Sequence, residues 1–376
     1  MSKLLAIGLM SGTSLDGIDA CLGEIEEKEN GKAIFKILKF VTMPYDKEVK
    51  QLLAKNLNLN TASLNEISGL NFEIGNLSVK AIDLLLKDTD YNYKDISFVA
   101  SHGQTIWHDP DCKFYKVPST LQIGEASIIS EKTGIKVISN FRSKDIAAGG
   151  CGAPLVPFAL DYLYRTKKEN ICFHNIGGIA NLAYLPKDDS DIIAFDTGPG
   201  NCLIDYYMNL YYGQSYDDGG SVALKGMVIK PIIDYLLNDD YYKLIPPKST
   251  GKEKYSRAFC EQIRKDLNFD DYAKEDIVST ITELTVKTMI SSYKYVGKID
   301  KLIVTGGGAH NNYIMRRLAE ELDFPVLKGS DANIDEDSLE ALSFIVLGYH
   351  TLKQLTSNVP SVTGAKKKVV LGSITY

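Results

Sequence analysis

Three glycine-rich turns, each placed directly after an apolar run of strand length, constrain this chain more than any other feature. They are Ser11-Gly12-Thr13-Ser14-Leu15-Asp16-Gly17, Asp196-Thr197-Gly198-Pro199-Gly200-Asn201 and Thr305-Gly306-Gly307-Gly308-Ala309-His310. A strand that stops at such a turn points successive backbone N–H groups into one concavity, and glycine lets a phosphate approach the main chain. The last two turns each lead into an expected helix, whose N-terminus further favours an anion. Two of the turns carry an aspartate, and Mg2+ at a phosphate site needs one or two carboxylates nearby.

The rest of the chain reads as α/β. Strands are expected at 4–9, 18–25, 34–41, 98–101 and 137–139. Ser63 with Glu66 three residues on is a capping-box pattern, and Ile67, Leu70, Ile74, Leu77, Ala81 and Leu84 then form one apolar helical face. A second helix, 125–133, is stopped by Gly134. The small-residue loop 147–154 lies near an expected domain boundary. Beyond it the opening pattern returns, with strands at 171–175, 180–184 and 192–195 and Gly177-Gly178 between the first two. Helices at 202–210, 227–237, 276–292, 311–322 and 338–352 and a strand at 302–305 complete the reading. At 376 residues the chain has room for two domains. We expect two α/β lobes with a ligand between them: 1–142, and 143–359, with 360–376 packing back on the first.

Composition narrows the function. A hydrophobic share of 44% and a charged share of 24% exclude a disordered chain. A net charge of −6 argues against a general nucleic-acid binder. The longest markedly apolar stretch, 342–347, falls far short of a membrane span. The N-terminal apolar run breaks at Ser11-Gly12-Thr13, so it reads as a strand, not a secretion signal. The six cysteines form no CxxC pair and the five histidines no HExxH, which leaves reduced cysteines in a cytoplasmic protein as the expectation.

Familiar nucleotide motifs are missing. Ser249-Thr250-Gly251-Lys252 is followed by Glu253 where a P-loop needs Ser or Thr, and no protein-kinase motif pair is present. Gly306-x-Gly308 meets Asn311 where a dinucleotide fingerprint needs glycine. A phosphate hairpin in each lobe and a late glycine-rich adenosine turn fit the actin-like and sugar-kinase ATPase architecture instead.

On these residues the chain resembles the bacterial anhydro-N-acetylmuramic acid kinase family. The likeness runs from Gly8-Leu9-Met10-Ser11-Gly12-Thr13-Ser14-Leu15-Asp16-Gly17-Ile18-Asp19 through Ser101-His102-Gly103-Gln104-Thr105 and Asn140-Phe141-Arg142-Ser143-Lys144-Asp145. It continues in Gly152-Ala153-Pro154, Asn175-Ile176-Gly177-Gly178, Phe195 to Asn201, Pro247-Lys248-Ser249-Thr250-Gly251, Thr305 to Gly308 and Val362-Thr363-Gly364. The resemblance implies a two-lobed actin-like (ribonuclease H-like) kinase, working as a cytoplasmic homodimer with ATP and Mg2+. It would open the 1,6-anhydro ring of 1,6-anhydro-N-acetylmuramic acid with water and phosphorylate the 6-oxygen, in cell-wall sugar recycling. Cys151 stands where the family usually has Gln, and Arg142-Ser143-Lys144 where it has a run of arginines. Both departures lie close to the expected sugar pocket.

Roles follow residue by residue. Gly12, Thr13, Ser14, Leu15, Asp16, Gly17, Ile18 and Asp19 are expected to form the first phosphate hairpin, with Asp16 holding Mg2+ directly or through water. Asp196 is the expected general base, because a water attacking an acetal carbon must lose a proton to a group within hydrogen-bond reach. The resemblance places the family's base on the same residue. Gly198, Gly200 and Asn201 would hold the second phosphate side, and Gly306, Gly307 and Gly308 would face adenosine. Arg142 and Lys144 would stabilise the sugar's lactyl carboxylate or the phosphoryl group, with Glu340, His102 and Gln104 at the sugar. Plainer readings stay open: a turn-forming Asp16 or Asp196, a solvated Arg142, Lys144 or Glu340, a structural His102. So do two other functions, a kinase of another anhydrosugar such as levoglucosan and a non-enzymatic actin-like nucleotide switch.

Overall fold

The computed structural model describes residues 3–376 except 13, 14, 30 and 252. It divides into two compact units, residues 1–164 with 337–376 and residues 165–336. The boundary therefore falls at 164/165, not at 142/143, and the returning segment begins at 337, well before 360.

Unit 1 is built on strands β1 (Lys3–Ser11), β2 (Gly17–Glu27), β3 (Ala33–Pro44), β4 (Ile96–Asp109), β5 (Ser119–Ile123) and β6 (Val137–Ser139). β1, β2 and β3 form an antiparallel meander, and β4 and then β6 run parallel on the other side of β1. The short strand Ser373–Thr375 closes the β6 edge, and β5 pairs with β4. β1 is apolar on both faces because both are covered. Ile7 and Leu9 pack with Leu70, Ile74 and Ala81 of the helix Leu64–Leu86, while Ala6 packs with Phe344, Ile345 and Leu347 of the helix Leu339–Leu352. This period-two division is what a strand sandwiched between helices dictates. The same packing explains the displaced boundary: Leu339–Leu352 buries its apolar surface on the sheet of unit 1. It sits so close that a Cβ at Gly8 would lie 2.0 Å from the Ala341 carbonyl oxygen.

The start of Leu64–Leu86 matches expectation, but its capping box does not form. Ser63 makes no side-chain cap bond, and Glu66 is taken by Lys55 (2.6 Å) and Asn56 (2.9 Å). Those partners belong to a helix, Lys47–Asn56, that the sequence did not announce. Gly134 does end its helix, in the left-handed conformation at φ 70°.

Unit 2 repeats the plan with β7 (Ile171–Ile176), β8 (Ile179–Leu185), β9 (Ile193–Pro199), β10 (Lys301–Thr305) and β11 (Val326–Lys328). Its order, β11-β10-β7-β8-β9, is again third-second-first-fourth-fifth read from the meander side, with the same parallel and antiparallel senses. Both units thus have the ribonuclease H-like arrangement of the actin-like class. Leu182, Phe195, Tyr207, Ile281, Leu284, Val304 and Ile314 lie in its core, under the helices Cys202–Tyr212, Lys274–Ser292 and Asn312–Glu321. Among the described residues no helix is long and apolar enough to cross a membrane.

Candidate active site

The first glycine-rich turn joins β1 to β2, and Thr13 and Ser14 lie outside the described residues. Gln104 on β4 is fully buried beneath it and donates from Nε2 to the Gly12 carbonyl at 3.2 Å. Ser11 donates to the Gly17 carbonyl at 3.1 Å, and its hydroxyl shares a hydrogen bond with that of Tyr45. Leu15 sits at φ 60° with its side chain buried. Gln104 thus supports the turn from below. Asp16 is exposed and pairs with Lys50 at 3.0 Å. Asp19, bonded by the Thr42 hydroxyl at 2.6 Å, has its pKa raised by burial and by the nearby charges of Asp337 and Asp16. A cation would relieve that crowding, and Mg2+ takes one or two carboxylates beside phosphate oxygens and waters. The residues present fit it. Among the described residues no group of three or more His, Cys, Asp or Glu could form a metal site by itself.

A second cluster in unit 1 joins His102, Arg142 and Glu340. Arg142 donates from Nε to His102 Nε2 at 3.0 Å and from Nη1 to the Gly152 carbonyl at 2.8 Å. A guanidinium can only donate, so Nε2 of His102 carries the lone pair and Nδ1 the hydrogen. Burial and the Arg142 charge push the His102 pKa down to about 3, which keeps the ring neutral. Burial also lowers Arg142 to about 10, against the opposing pull of Glu340. Glu340 keeps solvent access, yet enough protein surrounds it to raise its pKa, and Asp19 raises it further. The Nη2 end of Arg142 makes no hydrogen bond among the described residues and suits a carboxylate or phosphate. Lys144 is exposed and stands apart from this cluster's hydrogen bonds.

The motifs flanking this cluster meet at a different carboxylate. Asp145 is fully buried and accepts from Asn358 Nδ2 and Thr363 Oγ1, each at 2.9 Å, and from the Gly152 N–H at 2.8 Å. It ties the 147–154 loop to the C-terminal segment. Cys151 is exposed and donates its N–H to the Thr363 carbonyl at 2.7 Å.

In unit 2 the expected turn at 196–201 is mostly strand. β9 continues to Pro199, which an edge strand tolerates. The amides of Gly200 and Cys202 donate to the Gly178 carbonyl at 3.0 and 3.1 Å, and that of Asn201 to the Gly177 carbonyl at 2.8 Å. These donors are occupied by protein. The turn equivalent in topology to the β1–β2 hairpin is Gly177-Gly178, between β7 and β8, with 200–202 packed behind it. A Cβ at Gly200 would lie 2.3 Å from the Gly177 carbonyl oxygen.

Asp196 lies on β9, partly buried. One carboxylate oxygen accepts the Thr250 N–H at 2.9 Å, and its main-chain carbonyl accepts the Tyr241 hydroxyl at 2.7 Å. Burial raises its pKa to about 6; the Thr250 bond opposes this and the Glu253 charge adds to it. A carboxylate with its proton affinity lifted towards neutrality and one oxygen fixed is suited to take a proton from water. The sequence marked 247–251 as a motif but gave no sign that it partners Asp196. That contact joins residues 54 apart.

Asn201 and Gly307, from the second and third predicted turns, line one cavity of about 370 Å³ with Asp205, Tyr216, Asp218 and Asn311. Its size suits a nucleoside-sized ligand. Gly306 takes φ 78°, and a short 3-10 turn, Gly307–His310, separates it from the helix Asn312–Glu321. Asn311 caps that helix, accepting from the N–H groups of Tyr313 (3.0 Å) and Ile314 (3.3 Å). The residue that breaks the dinucleotide fingerprint thus has its own task. The 216–219 wall carried no sequence signal.

The family model for anhydro-N-acetylmuramic acid kinase matches residues 4–376. The chain belongs to that family. A relative named anhydro-N-acetylmuramic acid kinase from Francisella tularensis subsp. novicida is 41% identical over 376 residues, covering 98% of both chains. One of the same name from Caldanaerobacter subterraneus subsp. tengcongensis is 39% identical, covering 98% of this chain and 96% of its own. Among solved structures, the activator of 2-hydroxyisocaproyl-CoA dehydratase from Clostridium difficile with bound ADPNP is similar at 14% identity and a TM-score of 0.47, over 93% of this chain and 96% of that one. The family match spans both units, so it takes in the β1–β2 turn, the His102–Arg142 cluster, Asp196 and the cavity.

Proposed function

We propose that this kinase uses ATP to convert 1,6-anhydro-N-acetylmuramic acid and water to N-acetylmuramic acid 6-phosphate and ADP, in murein recycling. The observation that carries the reading is Asp196, with its raised proton affinity and one oxygen held by the Thr250 N–H. Its carboxylate takes a proton from water as that water attacks the anomeric carbon. The bond from the anomeric carbon to the 6-oxygen breaks, and the electron pair stays on that oxygen. The 6-oxygen then bonds to the γ-phosphorus as the bond to ADP breaks. The leaving group of one reaction is the nucleophile of the other, so no base for a sugar hydroxyl is required.

The turn from Gly12 to Asp19 faces the transferring phosphates, with Gln104 holding the Gly12 carbonyl. Bound Mg2+ would neutralise phosphate charge, and Asp16 and Asp19 are the residues that would hold it, directly or through water. Gly198, Gly200 and Asn201 serve the second phosphate side by building the Gly177-Gly178 turn. Gly306, Gly307 and Gly308 border the nucleoside cavity. Arg142, fixed by His102, presents its free edge to the lactyl carboxylate, and Glu340 and Lys144 complete the sugar contacts. By the same reading the protein works in the cytoplasm as a homodimer, without nucleic acid or membrane. Mass analysis of the product from ATP and the anhydrosugar tests the reaction. ADP release without an anhydrosugar would favour a nucleotide switch. Levoglucosan outcompeting the amino sugar would favour the other kinase.

A further inference from the structure

Lys248 is half-buried and makes no salt bridge among the described residues. Its ammonium instead lies over three rings, 4.7 Å from the centre of Tyr241, 5.4 Å from Tyr295 and 5.7 Å from Phe195. It donates to the Tyr241 carbonyl at 3.2 Å. Cations within about 6 Å of a ring face are held by its quadrupole, more strongly when desolvated. The contacts around it close a cycle on Asp196. The Tyr241 hydroxyl donates to the Asp196 carbonyl (2.7 Å), the Asp196 N–H donates to the Lys248 carbonyl (3.3 Å), and the Thr250 N–H donates to the Asp196 carboxylate (2.9 Å). Along the same loop Ile245, Pro247 and Ser249 are exposed.

We propose that Lys248 is a positioning residue, which seats the 248–250 segment in the aromatic box so that the Thr250 N–H stays on the Asp196 carboxylate. The inference rests on Asp196 being the base, but it concerns a hydrogen bond measurable without turnover. Among the described residues, the charged and titratable groups around Asp196 are Glu253, which raises its proton affinity, and Tyr241. Lys294 faces Lys248, and the Lys254 ammonium lies 5.2 Å from the centre of the Tyr241 ring. Freeing the Thr250 N–H removes a hydrogen bond that holds the Asp196 pKa down, so the pKa rises.

The test compares Lys248→Met, which keeps the apolar stem, with Lys248→Arg, which restores a cation, and with Thr250→Pro, which deletes the donor. Tyr295→Leu weakens the box from another side if Lys248→Met folds poorly. The probe is the ¹⁵N-labelled protein, following the Thr250 amide from pH 4 to 8. In wild type the amide proton should move with Asp196, near pH 6. In Lys248→Met it should stop tracking the carboxylate, and Lys248→Arg should recover most of the effect. The acid limb of kcat/KM should move up by about one pH unit, a loss of roughly fivefold at pH 6 and under twofold at pH 8. The double variant should add nothing to Thr250→Pro. An amide that still titrates with Asp196 in Lys248→Met overturns the inference, as does an equal loss of activity at every pH. A lost amide titration with an unmoved kinetic limb upholds the positioning role and refutes Asp196 as the base.

Discussion

Replacing Asp196 by Asn should make the protein more stable and nearly inactive. The shape is almost unchanged, and the Thr250 N–H can still donate to the amide oxygen. What is lost is the site for the water's proton, a contribution of about 10²–10⁴-fold, or roughly 3–5 kcal/mol in the barrier. The stability gain comes from the pKa. Burial lifts Asp196 from 3.8 to about 6, so between those values the folded protein holds a proton that the unfolded chain has released. Stability therefore falls as pH rises through that window and stays low above it. Two pKa units correspond to ~3 kcal/mol, which partial exposure reduces to roughly 1–3 kcal/mol. Asn carries no charge and escapes this penalty. Urea denaturation at pH 4 and pH 8 should show the variant more stable than wild type at pH 8, with the difference mostly gone at pH 4. Coupled-enzyme ADP assays at pH 8 should show the activity loss. A folded variant within tenfold of wild-type activity would refute the base assignment. Equal stabilities at both pH values would refute the burial argument.

Wild-type kcat/KM should rise with pH to a plateau above about 6 as Asp196 loses its proton, with no contribution from His102, which is held neutral down to about 3; a limb that persists in His102→Gln keeps that attribution. Arg142→Lys should raise the sugar KM tenfold or more while ATP binding holds, since lysine cannot keep the fork to His102 and Gly152 and also face a carboxylate; isothermal titration with each ligand checks it. Gly12→Val should lose nucleotide affinity in a protein that remains folded, because a β-branched side chain blocks phosphate from the main chain. Asp145→Ala should cost about 1–3 kcal/mol for each buried donor it orphans in denaturant unfolding, since it leaves Asn358, Thr363 and the Gly152 N–H without their shared acceptor.

Much of this site was legible because its strands are apolar and its turns are glycine-rich. The meander around Gly12, the one that ends at Gly198, the helix after Ser63 and the stop at Gly134 follow from periodicity and backbone chemistry. The illegible parts are those decided by distant partners. Nothing near Leu339 says that its helix packs on β1; the close approach depends on Gly8, over 330 residues away. Glu66 looks like half of a capping box until Lys55 and Asn56 compete for it. The turn at 196 looks like a phosphate cradle, but its amides are spent on Gly177 and Gly178. Asp196 and the 247–251 motif were each visible, but not that Thr250 meets the Asp196 carboxylate, and Tyr241 sits in a short 3-10 turn, Asp240–Lys243, that carried no signal.

The coupling of ring opening to phosphoryl transfer at Asp196 is tested most directly by one turnover series in ¹⁸O-labelled water, with the product quenched before the anomeric oxygen exchanges. The account predicts one ¹⁸O at the anomeric position, none in the phosphate, and no ring opening without ATP. Label in the phosphate, or an opened, unphosphorylated sugar formed in the absence of ATP, would contradict it.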